Sequence, residues 1–258
     1  MVAANPELEF PNIKDQVSAE EWQLRQDLAG LYRLVAHQGW DDFLFTHLSV
    51  RVPGAEHHFL LNPLGLMFEE VTASSLVKVD ADGQKVIDGP YDINPAGFTI
   101  HSAIHMARED AHCVMHLHTD DGVAVSAQEE GLRPITQHAM QIGELAYHDY
   151  EGVALDLDER ERLVRDLGDK QFMLLRNHGT LTVGATCADA YMAMYYLERA
   201  CTMQIKALGG GVAICEPPQG SAEKAASQSA LLFNGGAGPL AWSALMRQMD
   251  RLDSSFRS

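Results

Sequence analysis

The segment that most constrains the fold is an apolar run, Cys113 to Thr119, that carries two histidines one residue apart. In a β-strand, successive side chains point to opposite faces, so His116 and His118 share one face and Leu117 lies on the other. Neutral imidazole is a common ligand for zinc, copper, iron and nickel, and a complete site needs a further ligand from elsewhere. The pair therefore predicts either half of a metal site or two hydrogen-bonded histidines in a strand.

Other histidines provide candidates for the missing ligand. His178 is the best of them, because it follows a second apolar run, Phe172 to Leu175, that is also typical of a strand. His101 and His105 lie four residues apart, on one face of a predicted helix. That spacing binds metal in His-Glu-x-x-His proteins, but the glutamate is absent here, so we interpret this pair as core or interface histidines.

Composition excludes several classes of function. The chain has 258 residues, 46% hydrophobic and 21% charged, which is typical of a globular protein with an ample core. A formal net charge of -17 argues against binding to nucleic acid or to an anionic membrane surface. There is no apolar run of about 18 residues, the length of a membrane span, and the start lacks the pattern of a signal peptide. We therefore expect a cytoplasmic protein that binds neither nucleic acid nor membranes.

The periodicity of apolar residues predicts alternating helices and strands. Ser18 to Glu21 has the pattern of a capping box, and the amphipathic helix that follows ends at Gly39. Ser75 to Ile87, with the turn Asp82-Gly83, is typical of a hairpin. A long helix is predicted from Cys187 to Leu208. We expect an N-terminal arm over 1–17, a domain over 18–211 and a C-terminal extension with short helices over 212–258.

Four further stretches carry a resemblance to a known family: Val71 to Asp80, Asn94 to Ile104, Gly143 to Tyr150 and Leu175 to Gly179. With the His-x-His strand, they resemble the class II aldolase/adducin family, which includes fuculose phosphate aldolase and ribulose phosphate 4-epimerase. Within this family, the four stretches resemble the adducin head domain most. The resemblance implies an α/β fold, a three-layer α/β/α sandwich with a largely antiparallel central sheet. It also implies a homotetramer with the site near a subunit interface.

The resemblance implies a metal centre with an altered catalytic group. His116, His118 and His178 match the ligands of a divalent metal, zinc first, with iron, manganese and cobalt as alternatives; the metal polarises a substrate carbonyl. The aldolases place a glutamate just before the helix leading to His-x-His, as ligand and general acid/base. An ungapped count back from His116 puts Gly97 there, and glycine cannot transfer a proton. Three side chains remain as candidates for that transfer: His101, His47 and Tyr147.

The pocket that binds sugar phosphate in the family is altered as well. His47 stands in the loop where the family has an amide, and Leu64 replaces the threonine before Gly65. Pro95 and Ala96, next to Gly97, replace a pair of serines. These changes remove small hydroxyl and amide donors that bind phosphate. We therefore expect a small unphosphorylated carbonyl or carboxylate substrate.

Three functions fit these features. The first is a metal-dependent lyase that performs aldol cleavage or decarboxylation, which the three ligand positions favour. The second is a non-catalytic, adducin-like module for self-association or actin binding, which Gly97 favours. The third is an iron-dependent oxygenase on the same fold, since iron also suits three histidines with open positions. The retention of all three ligand positions makes the lyase our prediction.

Overall fold

The computed structural model describes residues 10–54, 57–152, 158–231, 233 and 236–258, without the side chains at 96, 230 and 231. Within them, one seven-stranded sheet has the order β3-β2-β1-β4-β7-β6-β5. The neighbouring strands are antiparallel except for the parallel pair β5 and β6. The strands are β1 His47–Arg51, β2 Phe59–Leu61, β3 Val77–Val79, β4 Cys113–Leu117, β5 Leu145–His148, β6 Phe172–Leu175 and β7 Gly179–Gly184.

Eight α-helices lie in the same described residues. They are α1 Ala19–Gln38, α2 Pro95–Ala107, α3 Asp120–Ser126, α4 Gln137–Ile142, α5 Glu159–Leu167, α6 Cys187–Gly209, α7 Ser221–Leu231 and α8 Ala237–Leu252. None of these helices combines the length and the apolar character needed to cross a membrane. The predicted α/β class is confirmed.

Helices cover both faces of the sheet and give three layers. On one face α1, α6 and α8 pack on the strands in a core that includes Leu48 and Met115; we name this side the α6 layer. On the other face α2 and α5 enclose Ile104 and Val114; this side is the α2 layer. Because side chains alternate along β4, His116 lies on the same side as Val114 and faces the α2 layer. The predicted three-layer sandwich is confirmed.

Helix α1 ends as the sequence predicts, but its capping box forms only in part. The Ser18 hydroxyl accepts a hydrogen bond of 3.1 Å from the Glu21 N–H, and Gly39 ends the helix with φ of 66°. The Glu21 carboxylate instead binds Arg25 at 3.0 Å and Lys78 at 2.8 Å. Because Arg25 is fully buried, it requires a counter-ion, and this demand outweighs the capping contact.

The predicted hairpin at 75–87 is wrong in its second strand. Only β3 forms, and a single bridge joins Val79 to Lys85. The Asp80 carboxylate accepts hydrogen bonds from the N–H groups of Asp82 and Gln84, both 2.9 Å long. These bonds close a compact turn and leave the returning segment without a regular ladder.

The division into arm, domain and extension stays a prediction. Residues 1–9 of the arm lie outside the described residues. The predicted extension holds α7 and α8, and α8 contributes Met246 and Met249 to the core of the α6 layer. The C-terminal residues therefore pack on the same core as α1.

Candidate metal centre

The end of β4 carries the first two histidines of the centre. His116 is fully buried, and its Nδ1–H donates to the Thr180 carbonyl oxygen on β7 at 3.0 Å. His118 lies just past the strand, and its Nδ1–H donates to the Asp42 carboxylate at 2.9 Å. Both rings are thus held through Nδ1, so both turn Nε2 toward the same point.

The tight turn between β6 and β7 presents the third histidine. Asn177 has φ of 58°, in the left-handed region that asparagine tolerates better than most residues. The His178 N–H donates to the Leu175 carbonyl at 3.1 Å. A Cβ on Gly179 would collide with the backbone carbonyl oxygen of Leu117, so β7 reaches β4 here only because residue 179 is glycine. The Asn-His-Gly sequence therefore has a geometric reason at each residue.

The three histidines come together as the sequence predicts. His116, His118 and His178 offer ring nitrogens that all lie within 4.8 Å of one another. The ring centroids are 4.7 to 4.8 Å apart. Burial and the neighbouring imidazoles lower the pKa of His178 to about 4, and the same causes lower the pKa of His116 well below its ordinary value. These two rings are neutral at neutral pH, the form that binds metal.

Hydrogen bonding tests whether this donor set fits a metal. Since Nδ1 of His116 donates to an oxygen, Nε2 of this neutral ring carries a lone pair, and the His118 ring, held at Nδ1 by Asp42, turns its own Nε2 toward it. These two nitrogens face each other at 3.0 Å. A proton or a metal ion between these two nitrogens would link them, and the nitrogen ligands of one tetrahedral zinc ion lie about 3.3 Å apart. The residues fit a divalent ion.

His47 and His101, two candidates for proton transfer, lie beside this cluster in the α2 layer. His47 on β1 pairs with His116 on β4, with ring centroids 5.5 Å apart. The His47 and His101 rings are joined by a hydrogen bond of 3.3 Å between Nδ1 and Nε2. A Cβ on Gly97 would lie 2.5 Å from Cδ2 of His47, so the imidazole fills the space beside residue 97.

Tyr147 is not brought to the histidines. Its ring belongs to the α6 layer, on the opposite side of the sheet from His47 and His101. Its hydroxyl accepts a hydrogen bond of 3.1 Å from the Leu132 N–H, and the Arg176 guanidinium lies 4.2 Å from its ring centroid. The side chain holds a turn in place, and a role in proton transfer stays a prediction that this geometry does not favour.

The remaining pocket residues divide between two segments. The Leu64 N–H donates to the Asp92 carbonyl oxygen at 2.8 Å, and the nearest atom to a Cβ on Gly65 would belong to Tyr91, at 4.0 Å. Pro95 is the first residue of α2, and the side chain of Ala96 lies outside the described residues. Of the predicted pocket, His47 and Gly97 are in contact, and the role of the others stays a prediction.

Comparison with known proteins places this geometry in a family. A model of the class II aldolase and adducin N-terminal domain matches residues 26–205. A Caulobacter vibrioides protein provisionally named an aldolase class 2 protein is 57% identical over 242 residues, which cover 93% of this chain and 94% of that one. The chain belongs to the class II aldolase and adducin family. The resemblance predicted from the motifs is confirmed.

Solved structures of class II aldolase and adducin family proteins share the fold. A crystal structure of an aldolase II superfamily protein from Pseudomonas syringae has a TM-score of 0.91 and 49% identity, covering 96% of this chain and 100% of that chain. An L-fuculose 1-phosphate aldolase from Glaciozyma antarctica PI12 has a TM-score of 0.82 and 29% identity, covering 97% and 96%. Alpha-adducin of Rattus norvegicus is 41% identical over 244 residues, 89% of this chain but 33% of alpha-adducin. The family to which this chain belongs therefore includes both enzymes and adducins.

Two residues that border the centre were not predicted. Asp42 orients His118 from a loop 76 positions away in the chain, and no local pattern marks it. The Tyr150 ring centroid lies 6.2 Å from that of His178, and its side chain is 53% exposed. Tyr150 follows the predicted candidate Tyr147 by three residues and lies in the same stretch, Gly143 to Tyr150.

A third residue outside the predictions, Glu198 of α6, supports the centre from behind the sheet. Its carboxyl group accepts hydrogen bonds from the hydroxyls of Thr119, next to His118, and of Thr180, which also binds His116 through its carbonyl. Burial raises the pKa of Glu198 to about 7. The sequence does carry a signal, because Glu198 shares the apolar face of α6 with Met194 and Cys201 at helical spacing.

Proposed function

We propose that this protein is a metal-dependent lyase that cleaves or decarboxylates a small, unphosphorylated carbonyl or carboxylate substrate. One observation carries the proposal: three imidazoles converge while hydrogen bonds to Thr180 and Asp42 hold the protons of two of them on the far side of the ring. A partly buried site of that kind is suited to a cation. We propose zinc as the ion.

Each residue near the centre has a role in this proposal. His116, His118 and His178 would hold the ion, which when bound supplies Lewis acidity that polarises a carbonyl group. Asp42 and Thr180 orient the ligand rings through their Nδ1–H groups. With three protein ligands, positions remain for substrate oxygens. Tyr150, largely exposed beside His178, offers a hydroxyl group on the open side.

The substrate class rests on what borders the centre. Leu64 and Pro95 stand where the family resemblance implies hydroxyl-bearing residues, and neither side chain donates a hydrogen bond. The net charge of -17 also disfavours a multiply charged anion such as a sugar phosphate. A small hydroxy acid or hydroxy aldehyde meets both conditions.

Elemental analysis tests the metal ligands. We expect about one zinc per chain after loading and desalting, and loss of that zinc in His116→Ala and in His178→Ala. His112→Ala is the matched control, because His112 is exposed just before β4 and outside the cluster. If the native protein retains neither zinc nor iron, the proposal is contradicted.

Activity screening tests the reaction class. The zinc-loaded protein should release a smaller aldehyde, ketone or carbon dioxide from at least one small hydroxy acid or hydroxy aldehyde. Turnover that requires iron and consumes dioxygen would instead identify an oxygenase. If the fully metallated protein turns over none of these compounds, the ion has a structural role and not a catalytic one.

A second candidate is a non-catalytic module for self-association or actin binding, as in the adducin alternative. Gly97, which lacks the family carboxylate, favours it, as does the similarity to alpha-adducin over 89% of this chain. Cosedimentation with filamentous actin distinguishes it from the lyase. Saturable binding to actin without turnover of any substrate would support the module.

We also propose a cytoplasmic homotetramer. Phe43 and Phe45 are 66% and 56% exposed in the loop that carries Asp42, and such aromatic surface beside a site is typical of an interface. The four cysteines are free thiols, which suits a reducing compartment. Light scattering of the purified protein should give about four times the 28.4 kDa chain mass, and a monomer would contradict the tetramer.

A further inference from the structure

A chain of buried hydrogen bonds leads from the end of α2 to the metal centre. It runs from the Ala111 carbonyl through His105, Ser49 and His101 to His47, and we name these four side chains the histidine chain. The successive distances are 2.7, 2.7, 2.6 and 3.3 Å. Each of the four side chains is at most 3% exposed. A polar chain this deeply buried needs every donor matched to an acceptor.

The Ala111 carbonyl fixes the direction of every bond in the histidine chain. A carbonyl only accepts, so Nδ1 of His105 carries a proton, and Nε2 of the neutral ring accepts from the Ser49 hydroxyl. Ser49 has then used its proton and accepts from Nδ1–H of His101. Nε2 of neutral His101 accepts from Nδ1–H of His47. With the donors and acceptors in this order, Nε2 of His47 is left with a lone pair.

Two observations support the premise that these rings are neutral. Burial lowers the pKa of His105 to about 3 and the pKa of His101 well below the ordinary value, and His47 is buried beside them, where an unpaired charge would be costly. The positive charge of the Arg51 guanidinium also lowers the pKa of His105. The Phe59 ring stacks on the His105 imidazole, with the two ring centroids 4.9 Å apart.

Nε2 of His47 lies close to the position at which a side chain on residue 97 would begin. Nε2 of His47 is 2.9 Å from the position of a Cβ on Gly97, the residue that the count from His116 aligns with the glutamate. The ring also lies beside His116, a ligand of the proposed ion. The His47 ring, with its acceptor nitrogen, thus fills the space that the first atom of a side chain at residue 97 would occupy.

We propose that His105, Ser49 and His101 are positioning residues that fix His47 as the Nδ1–H tautomer, so that its Nε2 accepts a hydrogen bond from a hydroxyl group of the substrate. The substrate class is then an α-hydroxy carbonyl compound or an α-hydroxy acid. The substrate half of this proposal rests on the proposed function, and the tautomer half does not.

Neutron diffraction tests the tautomer half directly. In metal-free crystals of the deuterated protein, we expect deuterium on Nδ1 and none on Nε2 in His47, His101 and His105. In Ser49→Ala the chain is cut, so His105 should keep its deuterium on Nδ1 while occupancy at His47 and His101 divides between the two nitrogens. Deuterium on Nε2 of His47 in the native protein would overturn the proposal. Unchanged tautomers in Ser49→Ala would do the same.

Binding of glycolate and acetate to the zinc-loaded protein tests the substrate half. These two probes differ by one hydroxyl group. We expect the preference for glycolate to fall about twofold in Ser49→Ala if the two tautomers are equally populated, because only the fraction of His47 in the Nδ1–H form accepts the bond. The preference should recover in Ser49→Thr, which keeps the hydroxyl. An unchanged preference would overturn the role of His47.

Measuring the zinc content distinguishes a failure of the role proposed for His47 from a failure of the proposed function. Ser49→Ala should still hold about one zinc per chain, because Ser49 touches none of the three ligands. Native protein that binds no zinc but has the expected tautomers would overturn the proposed function and support the histidine chain.

Discussion

At the scale of single residues, Gly97 and His47 compete for the same space. A Cβ on Gly97 would approach Cδ2 of His47 to 2.5 Å. The His47 imidazole on β1 is buried under α2 and has little room to move. We expect Gly97→Ala to lower the free energy of unfolding by about 1 to 3 kcal/mol through overpacking. In a His47→Ala background the same change should be neutral or stabilising, since alanine favours a helix by about 1 kcal/mol over glycine. Urea unfolding of the four proteins measures this coupling, and equal effects in both backgrounds would contradict the contact.

A second prediction for a single residue concerns Glu198 and the dependence of the free energy of unfolding on pH. Its folded pKa of about 7 lies above the ordinary carboxyl value of 4.5, so the folded protein holds this proton more tightly than the unfolded chain. The stabilisation is therefore complete below about pH 4.5 and is lost as the pH rises to about 7. Relative to Glu198→Gln, the native protein should lose about 2 to 3 kcal/mol between pH 5 and pH 8. A pH-independent difference in urea unfolding would show that the carboxyl group is ionised throughout.

At the scale of elements, the turn between β6 and β7 positions His178. Gly179→Ala would drive a methyl group into the Leu117 carbonyl, part of a backbone that cannot move without breaking the β4–β7 pairing. We expect a loss of about 3 kcal/mol or more in stability and at least tenfold weaker zinc binding.

Two substitutions serve as controls for that turn. Asn177→Gly should change stability by less than about 1 kcal/mol, because glycine adopts φ of 58° without strain. Gly209→Ala, at the end of α6, meets no atom within 4 Å and should be neutral or slightly stabilising. Calorimetric zinc titration and thermal unfolding together measure the set. A Gly179→Ala protein that matches Gly209→Ala in both would refute the tight approach of the strands.

At the scale of the whole molecule, the proposed ion joins parts of the chain that are far apart in sequence. Its three ligands come from β4 and from the β6–β7 turn, and Asp42 adds the loop before β1. An ion that binds only the folded state stabilises it by about 2.7 kcal/mol at a concentration 100 times its dissociation constant. Excess zinc should therefore raise the melting temperature of the native protein, and a chelator should reverse the change. His178→Ala should show no such response, and an equal shift in that variant would indicate binding elsewhere.

The sequence by itself determined the bounds of α1, the strand that carries His116 and the three proposed ligands. Strand alternation put His116 and His118 on one face, and Asn177, His178 and Gly179 are each explained by the backbone of one tight turn. The start and end of α1 followed from Ser18 and Gly39, whose contacts lie within a few residues of the helix. These features could be predicted because the physical chemistry that produces them is local.

Only the tertiary structure decided which side chains meet. Periodicity gives the face of each element but not the order of strands, so nothing local put Ser49 between His101 and His105 or placed Tyr147 on the opposite side of the sheet. Glu21 left its predicted cap for Arg25 and Lys78 because a buried guanidinium requires a counter-ion wherever the fold provides one. Burial, and with it the pKa values and tautomers of the site, is a property of the packed layers. The strand sequences alone do not contain it.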